Sequence, residues 1–565
     1  MRFLLVAVAV LVAGCSSIPK AALPPSVYDV HVHPVLIGPM IGNVTDHNIR
    51  LWGKGDRQAI GVARFREAGT EKWGEPVKFH LNPDADYTGI VENDASYPLK
   101  PDTTYQYQMG YVHETLENRL GELVWDSKTW QAHTFPANDS NVGTRFIFGS
   151  CRDQFIFSHY GENTFENINS LLNQESEMPT EAQSQFIIQA GDQVYADLTG
   201  GFPWHSKEPQ NIEEFWKTYR KAFGRPKFQT VTGRLANFMI LDDHEVVNDW
   251  SKGKFESGEH HPQTYKLGIR AYMAYQGSLN LTQEKIAQYS QEVPVEMAKL
   301  WYEFSHGKTD FFVMDTRSEN EMHKKNKDGS TMDWSSTPDP AIISDEQMND
   351  LKCWLGVSPN KALHNCERNR NGHIKFIVSP VPVFPDTQLG GAPRDKWGGH
   401  VWQRHRLLEF IRQHYIQRVV FLSGDVHASY IAELTYCTPD KGCDKDFKVY
   451  NIVSSPFNWS TSAGIGLYSF NFDFDFDMRS LNLKALGLAT DLDGCQTILH
   501  CTECCKKPSA NYYVRRYWDG ADPKPDMVHT KNNFSRITVE NDKVTVEFFS
   551  GHDGGERLEK SIISF

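Results

Sequence analysis

Polar residues able to bind metal fall just after four apolar, strand-like runs of the chain. Cys151 follows the run 145–149, Asp192 and Tyr195 follow 185–190, Asp242, Asp243 and His244 follow 237–241, and Asp425 with His427 follows 418–422. In an open α/β sheet the ligand crevice forms beyond the carboxyl ends of the strands. A single Asp there is usually a loop carboxylate or a helix cap, but four such clusters after four strands predict a polynuclear metal site. Asp192, with two oxygens on a short arm, is suited to bridge two metals. The Cys151 thiolate, Tyr195 phenolate and His427 imidazole are soft, anionic and neutral donors, a mixture that suits a ferric ion better than magnesium or calcium. Asp395, Asp425 and Asn248 are oxygen donors appropriate to a hard cation, and Asp243 is a further one. His244, followed by Glu245, is the candidate general acid for a departing alkoxide, the alternative being a supporting or helix-capping histidine. Asp315 and Arg317 either orient the site or bind phosphate, or else form a buried ion pair.

The same residues sit in longer motifs. These are Phe148-Gly-Ser-Cys151, Gly191-Asp-Gln-Val-Tyr195-Ala-Asp197, Leu241-Asp-Asp-His-Glu-Val-Val-Asn248-Asp249, Val313-Met-Asp-Thr-Arg317, Asp395-Lys-Trp-Gly398 and Ser423-Gly-Asp-Val-His427. Together they resemble the alkaline phosphatase D (PhoD-like) branch of the metallophosphoesterase superfamily over nearly the whole chain. The Asp-Asp-His-Glu and Gly-Asp-Val-His forms stand where the wider superfamily carries Gly-Asn-His and Gly-His-x-His. The resemblance implies a layered α/β metallophosphoesterase-like β-sandwich flanked by helices, with an all-β domain before it. It also implies iron with calcium alongside, and hydrolysis of phosphate esters by metal-activated water. Cys151 and Asp425 weaken a conventional iron–zinc purple-acid-type centre. The cysteine-rich stretch 495–505 and the alternating Phe/Asp strip 470–477 do not match the family core.

Three kinds of element must position these residues. From 28 to 137, short strands at 49–52, 60–65, 77–81, 88–92, 104–111 and 130–135 read as an immunoglobulin or fibronectin-III-like β-sandwich. After a polar connection at 136–143 the pattern changes to apolar runs alternating with helical stretches such as 211–223 and 263–275, which is α/β spacing extending over 143–565. Further runs lie at 310–314, 375–378 and 450–453, and the last two strands read as 535–539 and 543–549.

Composition bounds the function. The 565 residues carry 58 Lys plus Arg against 71 Asp plus Glu, a net charge of −13, with 40% hydrophobic residues. That is an ordinary globular chain of more than one domain. The acidic balance argues against nucleic acid as the main partner and does not exclude small phosphate esters; the family resemblance implies phosphate mono- or diesters, with phospholipid or cell-wall polymer among the substrates it leaves open. Residues 3–13 form an apolar run after Arg2, too short to span a bilayer, and Val12-Ala13-Gly14-Cys15 resembles a lipobox. The expectation is a signal peptide over 1–15, lipid on Cys15, a tether over 16–27, and a protein lipid-anchored in the bacterial envelope outside the cytoplasm. In that compartment, Cys353 with Cys366, Cys437 with Cys443, and the four cysteines of 495–505 read as disulfides. The competing function is a catalytically silent phosphatase-fold lipoprotein that binds a partner.

Overall fold

The computed structural model describes residues 29–93, 98–153, 162–198, 208–256, 262–291, 298–321, 340–357, 366, 372–384, 396–438, 442–459, 489–490, 496–497, 511–519, 529–552 and 554–565. Cys15, Asp395, the strip 470–477 and Cys495, Cys501, Cys504 and Cys505 lie outside them.

The chain begins with β1 (Ile37–Val44), β2 (Ile49–Lys54), β3 (Ala59–Glu67), β4 (Val77–Leu81), β5 (Thr88–Glu92), β6 (Thr104–Val112) and β7 (Trp130–His133). Next come β8 (Thr144–Gly149), β9 (Phe186–Ala190), β10 (Ala236–Ile240), β11 (Tyr302–His306), β12 (Thr309–Val313), β13 (Ile374–Ser379), β14 (Val419–Ser423), β15 (Tyr430–Thr438) and β16 (Gly442–Val453). The last are β17 (Ala489–Thr490), β18 (Gln496–Thr497), β19 (Asn511–Arg516), β20 (Asn533–Glu540), β21 (Lys543–Ser550) and β22 (Arg557–Ser564). Among the described residues they form a sheet in the order β22-β21-β20-β8-β9-β10-β1-β2-β5, a second in the order β11-β12-β13-β14-β16-β15-β19-β18-β17, and a third, β4-β3-β6-β7.

The two large sheets meet through aromatic rings, because strands buried on both faces read as continuous apolar runs. Phe146, Phe186 and Phe238 of the first sheet face Phe304, Phe311 and Phe376 of the second. Phe238 stacks on Phe304 at 3.6 Å between centroids, and Phe146 meets Phe311 edge-on at 5.4 Å. Helices cover the outside of the first sheet: α1 (Asn163–Glu175), α2 (Ile212–Phe223) and α3 (Pro226–Thr232). α2 starts where the Asn211 side chain accepts the Glu214 N–H, and it buries Phe215, Tyr219, Ala222 and Phe223.

Six strands of the N-terminal region, β2 to β7, lie where the residue pattern puts them, and β1 is an additional one. β1 lies parallel to β10, with Ile41 opposite Ala236, so β1, β2 and β5 extend the sheet that carries the candidate site. All six residues of β2 are buried, and Trp52 donates through Nε1 to the carbonyl of Ala274 at 2.8 Å. A strand buried on both faces needs cover that a free-standing module lacks. Cys353 and Cys366 are joined by a disulfide, and Cys437 and Cys443 are opposed positions of the β15–β16 hairpin. No helix among the described residues is long and apolar enough to cross a membrane.

Candidate metal centre

β8, β9 and β10 are parallel neighbours of one sheet, and β14 runs parallel in the other. The loops at their carboxyl ends therefore meet at one edge of the two-sheet core. The loops after β8, β9 and β14 turn sharply at their polar residues: Cys151, Asp192, Asp425 and His427 have φ of 58°, 56°, 67° and 49°. Left-handed backbone is costly for side chains other than Gly and concentrates at functional sites. Two glycines permit the approach of the loops. A Cβ on Gly191 would collide with Asp242, and one on Gly424 would collide with Ser150 and stand 2.9 Å from the Ala190 carbonyl.

The result is a pool of carboxylates. Asp192, Asp242, Asp243 and Asp425 bring oxygens within 4.8 Å of one another, and Asp192, Asp243 and His244 form an overlapping group of three within the same distance. Asp242 Oδ2, Asp243 Oδ1 and Asp425 Oδ2 are buried without a hydrogen bond. Asp425 Oδ2 has the Lys396 ammonium at 3.0 Å, an ion-pair contact without hydrogen-bond alignment. Buried, unsatisfied anionic oxygens aimed at one another call for a countercharge, so the donor set fits metal ions. Softer donors border the pool. Cys151 Sγ is 3.5 Å from Asp192 Oδ2, and Tyr195 Oη is 3.3 Å from the same oxygen and 3.2 Å from His427 Nε2.

Electrostatics point the same way. Burial, reinforced by the charges of Asp192 and Asp425, pushes the Cys151 thiol well above its ordinary value, and burial does the same to Tyr195. Burial and the neighbouring Asp243 raise Asp192. Burial also acts upward on Asp243, but Arg317 and His244 outweigh it and hold that carboxyl at about 2. Burial, with the charges of His244 and Lys396, brings His427 down to about 3 and keeps it a neutral donor. A cation reverses the penalties on thiol, phenol and carboxyl together, which is how metal binding couples to deprotonation.

Of the predicted site residues, Cys151, Asp192, Tyr195, Asp243, His244, Asp425 and His427 come together. Asn248 does not join the buried pool: it is exposed, and its backbone N–H donates to Asp197 Oδ2 at 3.0 Å. Arg317 resolves to the ion-pair reading. It is fully buried, with Nε on Asp242 Oδ1 and a guanidinium nitrogen 3.6 Å from Asp243 Oδ1. Asp315 accepts the N–H groups of Arg317 and Ser318 and so shapes that turn.

Four further residues acquire roles from the fold. Asp242 belongs to the carboxylate pool. Asp197 Oδ1 lies 2.8 Å from His244 Nδ1, and the only sign of it in the sequence is its place at the end of the Gly191–Asp197 motif. Glu245 is fully buried and accepts the backbone N–H groups of Asp192 (3.2 Å), Gln193 (2.7 Å) and Asp242 (2.9 Å). Lys396 stands on Asp425.

A family model for PhoD-like phosphatase matches residues 157–465, more than half of the chain. Alkaline phosphatase D of Bacillus subtilis (strain 168) is 22% identical over 426 residues, 71% of this chain and 66% of that protein. The chain thus spans just under two thirds of that relative's length. A solved structure of PhoD superposes with a TM-score of 0.60 at 17% identity, covering 94% of this chain and 89% of the other. A purple acid phosphatase from yellow lupin (Lupinus luteus) seeds superposes with a TM-score of 0.50 at 13% identity, covering 94% and 74%. At these identities the structural likeness establishes the fold, a mixed α/β arrangement of several sheets.

Proposed function

The chain belongs to the PhoD-like phosphatase family, and on that premise we propose that it hydrolyses phosphate esters at a polynuclear metal centre built on Asp192. The observation that carries this reading is the convergence of Asp192, Asp242, Asp243 and Asp425 within 4.8 Å, with buried oxygens that lack hydrogen bonds.

Bound metals supply an acidified water and countercharge for the phosphoryl oxygens. Cys151, Tyr195 and His427, with Asp192, are the donors we assign to a ferric ion. Asp192, Asp243 and Asp425 would hold calcium as hard oxygen donors, with Asp395 a further oxygen donor in the same motif set. His244 is held by Asp197 through Nδ1, which leaves Nε2 to deliver a proton. Burial opposes the charged imidazole, but Asp197, Asp243 and Asp192 outweigh it and raise His244 well above its ordinary value. In the net step the oxygen of water bonds to phosphorus, the ester P–O bond breaks, and the leaving alkoxide takes its proton from His244. The proton lost by the water returns to the imidazole through solvent.

The setting is read from the sequence. Val12-Ala13-Gly14-Cys15 supports lipid attachment at Cys15 and a membrane-tethered enzyme acting outside the cytoplasm on mono- or diesters, including phospholipid or cell-wall polymer. A silent binding lipoprotein is the weaker reading, since Asp192, His244, Asp425 and His427 are all retained. The test is phosphate release from a panel of mono- and diesters by protein purified without chelator, then stripped, then reloaded. The proposal expects turnover that disappears on stripping and returns with metal; turnover indifferent to metal refutes it.

A further inference from the structure

Among the described residues a guanidinium and an ammonium border the carboxylate pool beside His244, and they are built differently. Arg317 is fully buried and locked against Asp242 and Asp243 by a planar fork. Lys396 reaches Asp425, its Nζ 3.0 Å from Oδ2 and its side chain 4% exposed. Its backbone is anchored by the short turn Trp397–Gly399, where Trp397 is fully buried and donates through Nε1 to Ser379 Oγ at 3.2 Å. Trp397 holds the turn, while the ammonium rides on a flexible four-carbon arm.

A lysine is almost never buried unless paired. Here its ammonium faces an oxygen suited to a hard cation. Calcium takes carboxylate oxygens at about 2.3–2.6 Å, so an ion and an ammonium cannot both occupy that side of Asp425. We propose that Lys396 is a tethered cation that competes with a divalent ion for Asp425, making that ion the weakly held and exchangeable member of the centre. The inference rests on the metal-centre reading above. It makes Lys396 a positioning residue for metal loading: the ammonium keeps Asp425 compensated when the ion is away and yields the carboxylate when the ion arrives.

The test titrates calcium chloride into metal-stripped full-length protein by calorimetry. Lys396→Met removes the competitor and should tighten calcium binding at least tenfold. Lys396→Arg, which keeps the charge, should stay within about threefold of wild type. The same Lys396→Met protein without metal should melt lower than wild type and gain more from added calcium. Lys396→Gln serves the same comparison if the Met variant does not fold. Equal or weaker calcium binding in the neutral variants, with wild type binding normally, overturns the inference alone. A wild type that takes up no metal overturns the metal-centre reading and this inference with it.

Discussion

Glu245 accepts the backbone N–H of Asp192 at 3.2 Å, so a carboxylate in the loop after β10 holds the turn that follows β9. The same side chain takes the N–H groups of Gln193 and Asp242, and all of this is buried. With Gln276 Nε2 donating to Oε1 at 3.3 Å, three backbone donors and one side-chain donor converge on two oxygens, which fixes where Asp192 points without Glu245 being a ligand.

Glu245→Gln replaces one of those oxygens with an NH₂ group that faces N–H donors. The expected outcome is a fall in metal affinity on the order of 10–100-fold, as for loss of a residue supporting metal ligands. Stability should drop by about 1–3 kcal/mol, the cost of unsatisfied buried donors. Chelator competition and thermal melting measure the two. Unchanged metal affinity would show that Asp192 is positioned by other contacts.

His244 is fixed by Asp197 at 2.8 Å and lies beside Asp192 and Asp243. A general acid matters in proportion to the basicity of the leaving oxygen. His244→Gln should therefore lose on the order of 10²–10⁴-fold in kcat/KM on alkyl phosphate esters, and much less on nitrophenyl phosphate. Equal losses on both, or loss of bound metal, would make His244 a ligand or scaffold instead.

What was legible in the sequence was local. Asp192, Asp243, His244, Asp425 and His427 stand within a few residues of apolar runs, and the end of a buried parallel strand has one chemical meaning wherever it occurs. Asp197 went unassigned because its contact with His244 depends on how the turn after β9 folds back. Lys396 went unassigned because only the packing of Trp397 brings it to a loop of a different strand. The strands of the N-terminal region were readable, but alternation is the same whether a strand completes a sandwich or extends a neighbour's sheet. The pairing of β1 with β10 has no local signature.

If the ferric assignment holds, Tyr195 contributes a phenolate, and the loaded protein should absorb visible light by charge transfer. Tyr195→Phe should abolish the band while leaving the chain folded, as circular dichroism would report. A colourless, iron-free wild type with full activity excludes the assignment.

His306 offers a pH test remote from the centre. It is buried against Phe135, with Nδ1 3.0 Å from Thr144 Oγ1, and burial brings its pKa down to about 3 from 6.5. Between those values the unfolded chain binds a proton that the native one excludes. Its contribution is therefore complete above pH 6.5 and is lost as pH falls towards 3, by at most about 1.4 kcal/mol per unit. The melting temperature of wild type should drop more between pH 7.5 and pH 5 than that of His306→Gln. Parallel curves for the two proteins would assign acid sensitivity to other groups.

The central claim is that the carboxylate pool around Asp192 holds the metals on which phosphoester hydrolysis depends. Elemental analysis of wild type and Asp192→Asn, paired with phosphate release by the same samples, tests it most directly. The account predicts at least two metal ions per wild-type chain, fewer in Asp192→Asn, and a loss of turnover that tracks the missing metal. Full metal content or full turnover in Asp192→Asn would contradict it.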